Sequence, residues 1–214
     1  MIYAGIDFHK KYSVIVEENE KGEIVRQMRL LNDRRSLESY VESLGDDTKI
    51  AIEATCNWYY FYELIEEHDV EVTLVHPLKT RAIASAKINT DEISAKILSD
   101  LLRGNLIAPA YIPPRRVRDV REILRTRAFL VALRTRLKNR VHSILSKNGL
   151  ECPYSDIFGK KSQQWLRGLE LRRCYRLALD SFLRLADVLK GEIAEIDKEI
   201  DSLAIEDESA RLLD

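Results

Sequence analysis

The residues of this chain best suited to chemistry are carboxylates at the ends of predicted elements. Asp7 follows the apolar run Ile2-Tyr3-Ala4-Gly5-Ile6. Glu53 follows Ile50-Ala51-Ile52, and Asp91 opens a helical pattern after Thr90, a good capping residue. Oxygen donors of this kind suit Mg²⁺ or Mn²⁺, hard cations that prefer carboxylates and water. Two such ions can activate an attacking oxygen and stabilise a leaving one in phosphodiester chemistry. Each acid also has a plain reading, since Asp after a strand forms turns and acids favour the first turn of a helix. Glu53 is harder to dismiss, because a charge abutting an apolar strand is costly when buried alone.

The elements that must position these acids are legible in the pattern of the first half. Residues 2–8, 12–17 and 23–30 read as three strands of an antiparallel meander, with turns at His9-Lys10-Lys11 and around Gly22. A helix over 33–44 carries Leu37, Tyr40, Val41 and Leu44 and closes at Gly45. Residues 49–54 form a fourth strand, and Asn57 can cap a helix whose apolar face is Tyr60, Phe61, Leu64 and Ile65. Residues 71–76 form a fifth strand, stopped by Pro77, and helices over 78–86 and about 90–103 follow. Three strands, then helix–strand–helix–strand–helix, is the order of an α/β ribonuclease-H-like domain with a mixed sheet. In that topology strand four lies beside strand one, which makes Asp7 and Glu53 neighbours. Trp58, Tyr59 and Tyr60 read as core aromatics rather than a base-stacking platform.

Pro109, Pro113 and Pro114 mark a linker, so the sequence predicts one domain over 1–108 and a helical arm over 109–214. A long amphipathic helix runs from Arg115 to Lys147, with Val117, Val120, Leu124, Ala128, Val131, Leu137, Val141, Ile144 and Leu145 as its apolar stripe. Another helix covers about 162–180. From there Phe182, Leu185, Leu189, Ile193, Ile196, Ile200 and Leu203 repeat at coiled-coil spacing, as half of a hairpin with the long helix or as a dimer seam.

The net charge of −1 conceals an asymmetry. Residues 1–112 carry 13 basic against 19 acidic side chains, residues 113–148 carry 11 against 2, and residues 149–214 carry 10 against 14. The basic block contains Arg115, Arg116, Arg118, Arg121, Arg125, Arg127, Arg134, Arg136, Lys138 and Arg140. Arginine grips phosphate bidentately and stacks on bases, so the helix reads as an arm that contacts DNA or RNA. The plainer reading is a solvated face paired with the acidic helix at 187–208. No apolar run approaches the roughly 20 residues that span a bilayer, and no signal-peptide pattern opens the chain, so a cytoplasmic location is expected. Cys56, Cys152 and Cys174 are too scattered for a disulfide framework or a zinc site and read as buried or half-buried thiols.

With these residues in view, Gly5-Ile6-Asp7-Phe8-His9-Lys10 resembles the opening G-I-D-x-H-K of the DEDD transposases of the insertion-sequence 110 family, which include the pilin-gene-inverting recombinases. Ile52-Glu53-Ala54-Thr55 is similar to their second motif, and Val75-His76-Pro77 to their V-N-P step. Lys87 through Leu98 is similar to K-x-x-T-D-x-x-D-A-x-x-L. The resemblance implies a RuvC-like fold, Mg²⁺ or Mn²⁺ as cofactor, and a tetrad at Asp7, Glu53, Asp91 and position 94. It also implies DNA strand cleavage and exchange guided by a structured bridge RNA. Homodimers or tetramers are implied as well, in a prokaryotic cytoplasm and at the nucleoid when DNA is bound. Position 94 is Ser94 where the family has its fourth Asp; it would share a helix face with Asp91 but bind a cation weakly. The family continues into a second domain bearing a nucleophilic serine, which this chain is expected to lack. That expectation makes it an N-terminal part, poorly active alone, and leaves a non-catalytic nucleic-acid-binding and assembly module as the rival reading. A sugar-kinase-like ATPase also opens with a G-I-D strand, but no Gly-rich phosphate loop follows here.

Overall fold

A computed structural model describes residues 1–54, 58–66, 68, 70–77, 79–80 and 90–206. The expected Asn57 cap, Thr55, Cys56, the 78–86 helix beyond its start and the Lys87–Asn89 part of the third motif lie outside the described residues. The chain divides into two compact units, Met1–Ile112 and Pro113–Asp214.

The first unit is built on five strands: β1 (Ile2–Phe8), β2 (Tyr12–Asn19), β3 (Ile24–Leu31), β4 (Thr48–Glu53) and β5 (Glu71–Val75). Their order in the sheet is β3-β2-β1-β4-β5. β1–β2 and β2–β3 are antiparallel, whereas β1–β4 and β4–β5 are parallel. Among the described residues, helices α1 (Arg34–Glu42), α2 (Trp58–Glu66) and α3 (Asp91–Arg103) pack with this sheet. This is the α/β, ribonuclease-H-like mixed sheet anticipated from the element order.

Side chains alternate across a strand, so each strand serves two cores. Ala4, Ile6 and Phe8 of β1 join Ile15, Ile50, Ile52 and Leu74 in a core with Leu37, Tyr40 and Val41 of α1 and Phe61, Leu64 and Ile65 of α2. Residues of the opposite parity face α3: Val14 and Val16 pack with Ala95, and Ala51 and Val75 with Leu98. Gly5 belongs to that second face. A Cβ there would sit 2.0 Å from the Ala95 carbonyl oxygen and 2.5 Å from the Ser99 nitrogen, so only glycine lets α3 lie this close to β1. Asp7 and Glu53 share that face by parity, Glu53 one residue beyond the last β1–β4 pair, Ile6 with Ile52.

The predicted linker is partly structural. Ala110 donates its N–H to the Leu74 carbonyl, Pro109 bridges Val75, and Ala110 and Ile112 pack on the first core. The first unit therefore extends to Ile112. Trp58 is buried in that core, with Tyr59 stacked on it at 4.1 Å, and Tyr60 is exposed.

The second unit contains α4 (Arg115–Lys147), α5 (Lys160–Gly168) and α6 (Arg173–Glu206). α4 has the predicted bounds. It starts behind Pro114 and ends at Asn148-Gly149, where Gly149 takes φ 67° and Leu150 N–H returns to the Leu145 carbonyl. Val141, Ile144 and Leu145 pack with Leu166 of α5 and Leu179 and Leu183 of α6. The far end of α4 (Val120, Ile123) faces Ile200 and Leu203, so α4 and α6 form an antiparallel hairpin. The helix expected over 162–180 is in fact two, separated after Gly168. The guanidinium of Arg176 donates to the Leu166, Arg167 and Leu169 carbonyls and so satisfies the end of α5. The expected seam departs only near its start: Leu185 is exposed and Leu183 and Ala186 are buried, whereas Ile193 is buried and Phe182, Leu189, Ile196, Ile200 and Leu203 are half-buried as expected.

Candidate metal centre

Asp7 is the last residue but one of β1, the central strand, and after Phe8 the chain turns through His9 to Tyr12. That turn is pinned on its backbone. His9 N–H donates to the Tyr12 carbonyl at 3.0 Å, and the Asn32 amide donates to the His9 carbonyl at 2.6 Å. Asp91 arrives from α3, where Thr90 caps the helix by accepting from the Ile93 N–H.

Three side chains converge. The His9 Nε2 lies 3.5 Å from Asp7 Oδ2 and 3.3 Å from Asp91 Oδ1. One donor atom from each of Asp7, His9 and Asp91 can be chosen so that all lie within 4.8 Å of one another. Tyr12 occupies the other Asp91 oxygen, its hydroxyl donating to Oδ2 at 2.8 Å, so that Oδ1 is left toward His9 and Asp7. The Tyr12 ring lies against the imidazole with centroids 4.9 Å apart, and the Arg29 guanidinium covers the ring at 3.7 Å.

Electrostatics mark the centre as a gathering of negative charge. Burial raises the Asp7 carboxyl above the usual range. The His9 charge opposes that rise, and the nearby charges of Asp91 and Glu53 add to it. The hydrogen bond to Asp91 raises the Tyr12 phenol above its usual value. A buried carboxylate among like charges is a group that a cation would relieve. His9 Nε2 is screened from water and makes no well-aligned hydrogen bond, and so offers a further donor. The residues therefore fit a divalent ion.

Of the four expected ligand positions, the structure brings Asp7 and Asp91 together. Glu53 is outside that trio, but its charge acts on Asp7. Ser94 is half-buried one turn along α3 from Asp91, its N–H donating to the Thr90 carbonyl. His9 and Tyr12 were not singled out by sequence reasoning. The signals available were proximity to Asp7 for one and strand parity for the other, since Tyr12 shares the α3-facing side of β2 with Val14 and Val16.

At the other end of α3, Glu18 of β2 is fully buried and fully partnered. It meets Lys96 at 2.5 Å, Ser99 at 2.8 Å and Arg103 at 3.4 Å. β2 thus ties both ends of the helix that carries Asp91.

In the second unit, Arg115, Arg116, Arg121, Arg125, Arg136 and Arg140 are exposed, while Arg127, Arg134 and Lys138 are half-buried. At 100° per residue, Arg121, Arg125, Arg136 and Arg140 fall within an arc of about 100°. Arg118 corrects the expectation: it is buried and donates to the Pro113 carbonyl, which takes it out of the phosphate-facing set. Arg127 pairs with Asp197 of α6, so the plainer reading holds at that position. Of the thiols, Cys152 is half-buried, whereas Cys174 is exposed, contrary to expectation.

A ribonuclease-H-like sheet with acids gathered at the end of its central strand defines a class of nucleic-acid enzymes. Within that class, the profile of a transposase family, the DEDD transposases of insertion sequence 110, matches residues 4–148. The chain belongs to this family: it is a DNA transposase, and its chemistry is phosphodiester transfer. The family acts on DNA and typically uses a divalent metal ion. Comparison with curated proteins found no match. Among the described residues no helix is long and apolar enough to cross a membrane.

Proposed function

We propose that Asp7, Glu53 and Asp91, with Ser94 as a weak fourth donor, hold Mg²⁺ or Mn²⁺ for DNA strand cleavage and exchange, and that a structured bridge RNA selects the strands. The observation that carries this reading is the convergence of Asp7 and Asp91 at the end of β1 in a chain of this family. A divalent ion bound there supplies Lewis-acid activation of the attacking oxygen and neutralises charge at the scissile phosphate. The protein's part is positional. β1 fixes Asp7, Gly5 lets α3 approach, and Tyr12 turns the Asp91 carboxylate inward.

The exposed arginines of α4 are proposed to grip phosphate, from DNA or from the guide RNA, and homodimers or tetramers to hold the several strands of an exchange. Division into a catalytic unit, read from the sequence as residues 1–108 and extended by its packing to Ile112, and a helical arm, read as 109–214, belongs to the same proposal. Ser94 favours a second reading, a nucleic-acid-binding and assembly module without catalysis, because a hydroxyl is a far weaker cation donor than a carboxylate.

Mn²⁺ titration of the wild type, Asp7→Ala and Glu53→Ala separates the readings. Saturable binding that both substitutions abolish, with folding retained, supports the metal centre. Unchanged titration in both variants sinks it. A nuclease assay on Ser94→Asp then tests the module reading: cleavage gained by that change assigns the weakness to position 94.

A further inference from the structure

The metal reading just given uses oxygen donors only, and the structure offers a nitrogen. His9 Nε2 lies 3.5 Å from Asp7 Oδ2 and 3.3 Å from Asp91 Oδ1. These distances are long for charge-assisted hydrogen bonds, which run at about 2.7–2.9 Å. They match the spacing of neighbouring ligands around one ion. Bonds of about 2.1 Å at angles between octahedral and tetrahedral set ligand atoms about 3.0–3.4 Å apart. Nε2 is also shielded from water and makes no well-aligned hydrogen bond, although two carboxylates lie beside it. A nitrogen placed to bridge them through a proton would be aligned with one of the oxygens.

The surroundings hold the imidazole in that attitude. Its backbone is fixed by the Tyr12 carbonyl and the Asn32 amide, and its ring rests on Tyr12. Tyr12 meanwhile engages Asp91 Oδ2, which presents Oδ1 to the same point. One aromatic residue therefore orients two of the three donors.

We propose that His9 Nε2 is a direct ligand of the divalent ion, supplying a donor that Ser94 does not, so that the site is a mixed imidazole–carboxylate centre selecting Mn²⁺ over Mg²⁺. The selectivity follows from donor chemistry. Mg²⁺ keeps to oxygen and holds its waters, whereas imidazole suits transition metals. The inference rests on the metal reading above, and its test separates the two.

The experiment uses the full chain stripped of metal, with Mn²⁺ and Mg²⁺ chlorides as probes. Pulsed electron paramagnetic resonance of bound Mn²⁺ reads nitrogen coupling directly, and histidine labelled with ¹⁵N confirms its source. The expected result is histidine-nitrogen coupling in the wild type and its loss in His9→Asn. Mn²⁺ affinity should fall 10–100-fold in that variant, while Mg²⁺ affinity changes less than threefold. Saturable Mn²⁺ binding that Asp7→Asn abolishes, but with no nitrogen coupling or with His9→Asn titrating like the wild type, overturns the His9 assignment and leaves the carboxylate site standing. Absence of saturable binding in the wild type, or binding indifferent to Asp7→Asn, removes the metal reading and this proposal with it. Circular dichroism checks the fold of each variant. Should His9→Asn fail to fold, the wild-type spectrum decides alone.

Discussion

Gly5→Ala is the smallest change that should dismantle the centre, and its cost can be worked from the structure. The new Cβ would lie 2.0 Å from the Ala95 carbonyl oxygen, 2.5 Å from the Ser99 nitrogen and 3.0 Å from Leu98 Cβ. A carbon–oxygen contact needs about 3.3 Å, so α3 must retreat from β1 by about 1.3 Å. Two of the three obstructing atoms are backbone, and no rotamer change relieves them. Removing glycine from a strand favours the variant by about 0.5–1 kcal/mol through backbone entropy. Overpacking costs about 1–3 kcal/mol even where side chains can yield, so the clash wins and the net loss should reach about 2 kcal/mol or more. The same retreat carries Asp91 away from Asp7. Metal sites tolerate about 0.2 Å of ligand displacement, and a 1 Å misplacement costs about 100-fold in comparable positioned sites. Urea denaturation followed by circular dichroism, with Mn²⁺ titration on the folded variant, measures both effects. A Gly5→Ala protein with the wild-type midpoint and wild-type Mn²⁺ affinity would refute the claim that α3 is set by this contact.

Other outcomes follow from the same geometry. Burial raises the Asp7 carboxyl in the folded state, so the stability it contributes is present below the unfolded pKa and is lost as pH rises through the folded one. At neutral pH without metal, Asp7→Asn should therefore have a higher urea midpoint than the wild type, with the gap closing as pH falls. Mn²⁺ at 100 times its dissociation constant should stabilise the wild type by about 2.7 kcal/mol and Asp7→Asn not at all; equal shifts in thermal melting would contradict this. Glu18→Ala should cost about 1.5–3 kcal/mol in chemical denaturation. The upper range for a stranded buried charge does not apply, because Lys96 and Arg103 can reach water. Replacing Arg121, Arg125, Arg136 and Arg140 together by Ala should flatten the dependence of log binding constant on log salt for duplex DNA by about 3–4. A slope equal to the wild type's in fluorescence anisotropy would move the phosphate contacts elsewhere.

The strand order, the β1–β4 adjacency and the bounds of α4 were legible in the sequence, because each rests on local alternation, capping or element order; the grouping of Asp7 with Asp91 was implied by the family resemblance. What was hidden depends on information that periodicity does not hold. His9 is a single residue in a turn, and its role appears only when α3 brings Asp91 across from a distant part of the chain. Arg118 looks like its neighbours in composition, but the start of α4 buries it against the Pro113 carbonyl. The α6 seam missed at one position for a different reason: near its start Leu185 is exposed, and Ala186, a residue too small to register as a seam position, is buried instead. The break between α5 and α6 depends on Arg176 reaching back to carbonyls at the end of the preceding helix, a long-range satisfaction that no window of sequence displays.

The tethering of α3 to β2 at both ends has a kinetic consequence. The hydrogen bond from Tyr12 to Asp91 spans 79 residues, and that from Ser99 to Glu18 spans 81. Neighbouring strands can pair early, but these contacts close only after a long stretch of chain has been ordered, a step whose entropy cost must be met before any contact rewards it. The cluster of Asp7, His9 and Asp91 should then be complete only late on the folding path. An ion that recognises it has nothing to bind in the transition state for folding, so it should leave the folding rate unchanged and act by slowing unfolding. Cation occupancy should then set how long each folded molecule lasts.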